Sequence, residues 1–395
     1  MKSLTLLGLS ILLTISTYAK KDHFKDSAFA KANQSSNAIS SKIEMENKNS
    51  LPTIRVALLL DTSNSMDGLI DQARAQLWEL VNELSYARCG NDIHPELKIA
   101  LYEYGNDRLD AREGYIRQVN SFSNDLDEIS KNLFALTTNG GNEYCGNVIL
   151  SSLNQLDWGT ESEGLNIIFI AGNEPFNQGP VAYTHAVNRA CDKDVTVNTI
   201  FCGDYNTGAK ALWKDAARLS KGEYIAINSD RATVHVSSPY DDRILEKNEE
   251  LNKTYIGYGA LGQVKLQLQS TQDENAQTYG EANAVKRVVT KSSRFYKNSS
   301  WDLVDALEEN EEIVESINKY DLPNHLKGKT KKELKTYLEL KKSDRVEIQE
   351  EIATLNLKRK QYVSNKTNIK DNELRNALVA AIKKQGKEKG FVWKQ

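Results

Sequence analysis

The sequence predicts an α/β fold: a doubly wound, mostly parallel sheet followed by a helical C-terminal region. Three observations carry that expectation. Short apolar runs rich in branched residues alternate with helical patterns between Ile54 and Ile227, as expected for strands covered on both faces by helices. The connections between these runs are short, which suits βα units. Beyond Pro239 the alternation ends, and polar and helical segments take over.

The first strand is Ile54-Arg55-Val56-Ala57-Leu58-Leu59-Leu60, bounded by Pro52 and running into Asp61-Thr62-Ser63-Asn64-Ser65-Met66. Leu69, Ile70, Ala73, Leu77, Leu80, Val81 and Leu84 then recur at helical spacing, predicting a helix within 68–88. Residues 97–104 read as a second strand and 115–119 as a short edge strand. Helices are expected over 126–136 and 148–156, a buried strand over 165–170 and a helix over 181–190. A strand over 195–201, a helix over 209–219 and a last short strand over 223–227 complete a domain spanning 53–236.

Residues 237–300 read as an irregular connection, with Tyr255-Ile256-Gly257-Tyr258-Gly259 as an isolated turn. The final segment, 301–395, reads as a helical, coiled-coil-like arm. Its first part is acidic from Trp301 to Asp321, and from Lys329 it turns basic. Leu334, Leu338, Lys341, Arg345, Ile348, Ile352, Leu355, Arg359 and Tyr362 step by four and three, a heptad seam with cations in it. Either the acidic and basic segments form an antiparallel hairpin, or the arm oligomerises through its seam. An unpaired buried Lys341 or Arg345 is costly, and Pro323-Asn324 and Gly328 offer a break, so the hairpin is expected.

Lys2, the apolar stretch from Leu4 to Ile15 and the small-residue ending Thr17-Tyr18-Ala19 form a secretory signal over residues 1–19. Residues 20–52 are polar and lack periodicity, a disordered linker. The apolar core is too short for a comfortable membrane span, so an exported protein, periplasmic or secreted, is expected, with no stable span after removal of the signal. Export would place Cys89, Cys145, Cys191 and Cys202 where disulfides persist, in any of three pairings. With 51 basic against 54 acidic residues and a net charge of −3, nothing points to nucleic acid as a partner.

Asp61, Ser63 and Ser65 place three oxygen groups at alternate positions where a strand leaves the sheet, the usual location of a ligand site in this class. Such residues also suit a plain helix cap. The D-x-S-x-S pattern resembles the metal-ion-dependent adhesion site of von Willebrand factor A domains. The resemblance spans 53–236 and implies a doubly wound sheet, a divalent cation and a protein ligand that donates an acidic residue to the metal. Two further loops depart from the family. Its Gly-Gly-Thr-x-Thr is Gly140-Gly141-Asn142-Glu143-Tyr144 here, and its Thr-Asp-Gly is Ala171-Gly172-Asn173, followed by Glu174-Pro175. The expected metal ligands are therefore Asp61, Ser63 and Ser65, with Asn142, Glu143, Asn173 and Glu174 as substitutes for the missing threonine and aspartate. Mg²⁺, which prefers compact oxygen coordination, is the leading ion, with Mn²⁺ or Ca²⁺ as alternatives.

The resulting expectation is an exported, non-catalytic interaction module. A structural envelope scaffold with a decayed metal site is the first alternative and a phosphatase-type hydrolase the second. The hydrolase is disfavoured because Ser63 stands where a second aspartate would be needed. No G-x-S-x-G elbow or G-x-x-x-x-G-K loop is present either. A nucleophilic Cys145 has no histidine near it in sequence to activate it.

Overall fold

The computed structural model describes residues 51–90, 92–160, 164–228, 236–366 and 373–394. The expected signal, 1–19, and nearly all of the 20–52 linker lie outside the described residues. Six strands form one sheet: β1 (Thr53–Asp61), β2 (Glu96–Tyr104), β3 (Ile116–Ser123), β4 (Leu165–Gly172), β5 (Val195–Cys202) and β6 (Tyr224–Ile227). Their order is β3-β2-β1-β4-β5-β6, parallel throughout except for the antiparallel edge strand β3. The doubly wound architecture is as expected, and the edge strand is longer than its sequence announced.

Strand β1 pairs along its whole length with β2, from Thr53↔Glu96 to Asp61↔Tyr104, and on its other side with β4. Its alternate residues serve two cores. Ile54, Val56 and Leu60 pack with Leu69, Leu77 and Val81 of α1 (Asp67–Leu84) and Ile129 of α2 (Leu126–Phe134). Ala57 and Leu59 pack with Val148 of α3 (Cys145–Gln155) and Val187 of α4 (Tyr183–Asp192). The chain winds away from β1 in both directions, so the switch point of the sheet lies at the C-terminal ends of β1 and β4. Asp61 and Gly172 end those strands. After β5, the helix expected over 209–219 is split into α5 (Tyr205–Lys210) and α6 (Trp213–Leu219), because Leu212 takes a left-handed conformation with φ 73°.

The irregular connection expected over 237–300 is instead largely helical: α7 (Asp241–Asn252), α8 (Gly262–Thr278) and α9 (Glu281–Lys291). Their apolar periodicity is weak because much of what they bury is polar. Gln269, Gln272, Asn283, Arg287 and Lys291 are all buried. Arg287 Nη2 lies 2.6 Å from Asp127 Oδ1 of α2, an ion pair by distance although poorly angled as a hydrogen bond. Arg287 Nε donates to Asp273 Oδ1 at 3.0 Å, and its guanidinium stacks over Trp78 and Tyr296. Lys291 Nζ donates to Asp273 Oδ2 and to Asn248 and Asn252.

The segment from 301 onward does not project as an arm. Residues 51–395 form one compact unit, and Ile348, Ile352 and Leu378 share the core that contains α1. Helix α10 (Leu303–Glu309) and the short α11 (Ile313–Ser316) precede α12 (Lys331–Ser364), which opens on a reciprocal Thr330–Glu333 capping box. Leu334, Leu338, Arg345, Ile348, Ile352 and Arg359 of the seam are buried. Arg345 Nη1 reaches Asp302 Oδ2 at 2.6 Å and Asp305 Oδ1 at 2.7 Å, and Arg359 Nε reaches Asp241 Oδ1 at 2.8 Å. Arg345 thus pairs with the acidic segment, as expected of a hairpin, whereas Arg359 pairs with α7, outside that segment. A last helix, α13 (Glu373–Glu388), lies against α1, β4 and β6, and Val392–Trp393 pairs antiparallel with Ala87–Arg88.

Among the described residues no disulfide joins the four cysteines: Cys89, Cys145 and Cys202 are buried and Cys191 is exposed. Among the described residues, no helix is long and apolar enough to cross a membrane.

Candidate metal centre

The loop after β1 starts from a carboxylate that the fold has removed from water. Asp61 is fully buried, and its Oδ1 accepts from the Ser63 backbone N–H at 2.7 Å. Its Oδ2 has no hydrogen-bond partner, and the Ser63 hydroxyl, itself buried, makes no hydrogen bond of good geometry either. Burial pushes the Asp61 pKa up to about 7 against the lowering contacts of Ser63, and the charges of Glu143 and Glu174 add to the rise. The capping explanation for these residues is not realised. Ser63 stands at the N-cap of the short turn Asn64–Met66 and Met66 at the N-cap of α1, and neither side chain caps.

Glycines decide what surrounds Asp61. A β-carbon on Gly141 would fall 2.2 Å from the Gly105 carbonyl oxygen, so the second loop seats its bare backbone on the end of β2. That contact brings the next residues close to the strand. A β-carbon on Gly105, whose φ is +80°, would meet Asp61 Oδ1 at 2.8 Å and Glu143 Cγ at 2.9 Å. The Asp61 carboxylate and the Glu143 side chain therefore flank one small gap. Glu143 is buried, and desolvation followed by the charge of Glu174 raises its pKa, against a lowering contact from Ser63. Asn142, which aligns with the family's threonine, is exposed.

In the third loop, a β-carbon on Gly172 would stand 2.7 Å from the Tyr104 hydroxyl and 3.0 Å from Asp61 Oδ2. The Tyr104 hydroxyl, which donates to the Ala171 carbonyl at 2.9 Å, fills the space that an aspartate side chain would need. Asn173 follows: its Nδ2 donates to Ser65 Oγ at 3.0 Å, while its Oδ1 is without a partner. Glu174 is half-buried, its Oε2 accepting from Gln178 at 3.2 Å and its carbonyl from the Trp213 indole at 2.7 Å.

The structure thus gathers Asp61, Ser63, Ser65, Glu143 and Asn173 about one end of the sheet, with Glu174 close enough to act on both buried carboxylates. Asn142 stays outside. Sequence reasoning missed Tyr104 and Gly105; the signal for the second was a glycine at a strand end facing the Gly140-Gly141 loop. Partnerless hard oxygens on Asp61, Ser63 and Asn173 fit a cation such as Mg²⁺. Among the described residues, no cluster of three or more His, Cys, Asp or Glu is arranged as a metal site, so neutral oxygens would have to share the coordination.

Comparison with known proteins finds distant likenesses only. No protein-family model and no curated protein matches the chain. Among solved structures, the SpRpn10 VWA domain is 16% identical over 45% of this chain and 88% of its own, with a TM-score of 0.33. The conserved hypothetical protein BatB from Bacteroides thetaiotaomicron is 16% identical over 44% of this chain and 90% of its own, TM-score 0.34. Proximal thread matrix protein 1 from the mussel byssus, in a structure with a zinc-occupied MIDAS motif, is 12% identical, with a TM-score of 0.33. The match covers 46% of this chain and 43% of that one. At these identities the von Willebrand A likeness concerns the fold alone.

Proposed function

We propose that this chain is a non-catalytic, metal-dependent interaction module, exported under the direction of residues 1–19. The observation that carries the reading is the pair of buried, partnerless oxygens, Asp61 Oδ2 and Ser63 Oγ, at the switch point of the sheet. Leaving such groups unsatisfied costs about 1–3 kcal/mol each, a cost that a bound cation offsets. Asp61 would supply charge, Ser63 and Ser65 hydroxyl oxygens, and Glu143 and Asn173 the oxygens that the altered loops no longer provide. A divalent ion there, Mg²⁺ above Mn²⁺ or Ca²⁺, would make the binding of a protein ligand at this end of the sheet metal-dependent.

Catalysis is not part of the proposal. Cys145 is fully buried beside Tyr104, and desolvation holds its thiol far above the ordinary range, the opposite of what a nucleophile needs.

The test is thermal melting of the wild type and Asp61→Ala with each ion in turn. Since a ligand present at 100 times its dissociation constant stabilises by about 2.7 kcal/mol, saturating metal should raise the wild-type midpoint and leave the variant unmoved. Identical shifts, or none in either protein, would sink the metal reading and leave a scaffold.

A further inference from the structure

Building on that reading, we infer that Glu143 is a ligand the chain supplies to its own cation, which makes the loaded centre anionic and closed to carboxylate groups from a partner. The family's pattern places a neutral threonine hydroxyl in this loop and leaves an acidic group to arrive from outside. Here the second loop is shifted in character by one residue. Asn142, at the threonine position, is exposed, and Glu143 turns inward with 8% of its surface accessible.

Its Cγ and Asp61 Oδ1 both approach the point where a Gly105 β-carbon would stand, at 2.9 and 2.8 Å. Among the described residues no lysine or arginine forms an ion pair with Asp61 or Glu143, whereas Glu103, also at the end of β2, pairs with Arg117 at 2.5 Å. Two buried polar groups at this centre, one of them outside the acidic pair, make no hydrogen bond of good geometry. They are Asp61 Oδ2, on a residue 0% exposed, and Ser63 Oγ, on one 4% exposed. These oxygens point to a cation rather than to a stray cluster of acids.

Charge then sets the partner's chemistry. One divalent ion among Asp61, Glu143 and the nearby Glu174 leaves one surplus negative charge. An incoming carboxylate meets repulsion as well as a coordination position already filled from within. A lysine- or arginine-bearing segment meets attraction. The exposed carboxylates of Asp67 and Asp107, each hydrogen-bonded to the 137–140 loop through Thr138 and Asn139, extend the negative surface around the centre.

The experiment is calorimetric titration of Mn²⁺ into the full mature chain, repeated with Glu143→Gln, Glu143→Thr and Asn142→Ala, with circular dichroism to confirm folding. Glu143→Gln, nearly isosteric, should weaken Mn²⁺ binding by about tenfold or more, while Asn142→Ala should leave it unchanged. Sodium acetate, added against sodium chloride of equal ionic strength, should not tighten Mn²⁺ binding to the wild type and should tighten it in Glu143→Thr. A wild type that takes no Mn²⁺ would overturn the metal reading, and this inference with it. Equal affinity in wild type and Glu143→Gln, or tightening of the wild type by acetate, would overturn the inference alone.

Discussion

Two of the regions that bury carboxylates in this molecule treat them in opposite ways. Between α2, α8 and α9, Asp127 and Asp273 face Arg287 and Lys291, so the chain brings its own cations to its own anions. At the end of β1, Asp61 and Glu143 face one another with hydroxyls and amides around them. The first arrangement is charge-paired within the chain and holds the C-terminal helices on the sheet domain. The second lacks a positive charge, which makes it the candidate binding position of the fold.

The comparison can be broken at either region. The largest effect is expected in the paired network: Arg287→Met strands buried Asp127, leaves Asp273 with Lys291 alone, and should destabilise the protein by about 3–5 kcal/mol in urea unfolding. A loss below 1 kcal/mol would show that the network is not ion-paired in solution. At the incomplete site the sign reverses. Asp61→Asn removes a buried charge that nothing compensates, so the metal-free protein should gain on the order of 1 kcal/mol, the worth of one pKa unit. A metal-free variant less stable than the wild type would place Asp61 among the structural carboxylates.

The smallest effect sharpens the contrast through pH. Lys291 and Arg287 hold Asp273 well below the usual carboxylate range despite its burial. A depressed native pKa gives stability that is complete above the unfolded value of about 4 and is lost as pH falls through the native one. The stability difference between wild type and Asp273→Asn should therefore be flat near neutrality and shrink below about pH 4. A difference that stays constant down to pH 2 would contradict the pairing.

The contrast also explains what was legible in the sequence. Strands β1, β2, β4 and β5 and the first helix announce themselves because their buried faces are apolar and periodic. Helices α7 to α9 were missed because they bury Gln269, Gln272, Arg287 and Lys291, residues that a hydrophobic pattern scores as surface. At the metal centre, Asp61, Ser63 and Ser65 were readable from strand and spacing. The choice between Asn142 and Glu143 was not, since it depends on how Gly141 seats on Gly105, a contact between residues 36 positions apart. The substitution at Gly172 was visible in the sequence. Its cause, the Tyr104 hydroxyl occupying the vacated space, required the third dimension.

The seat of Gly141 on Gly105 has a mechanical consequence. With no room for a single carbon between the two backbones, the loop bearing Glu143 and the end of β2 cannot slide past each other. The Asp107 amide, hydrogen-bonded to the Gly140 carbonyl at 2.5 Å, ties the two further. An ion held by Glu143 would therefore bear on the end of β2 as well. Occupancy of a buried centre would then be felt at exposed Asp107, on the surface a partner meets.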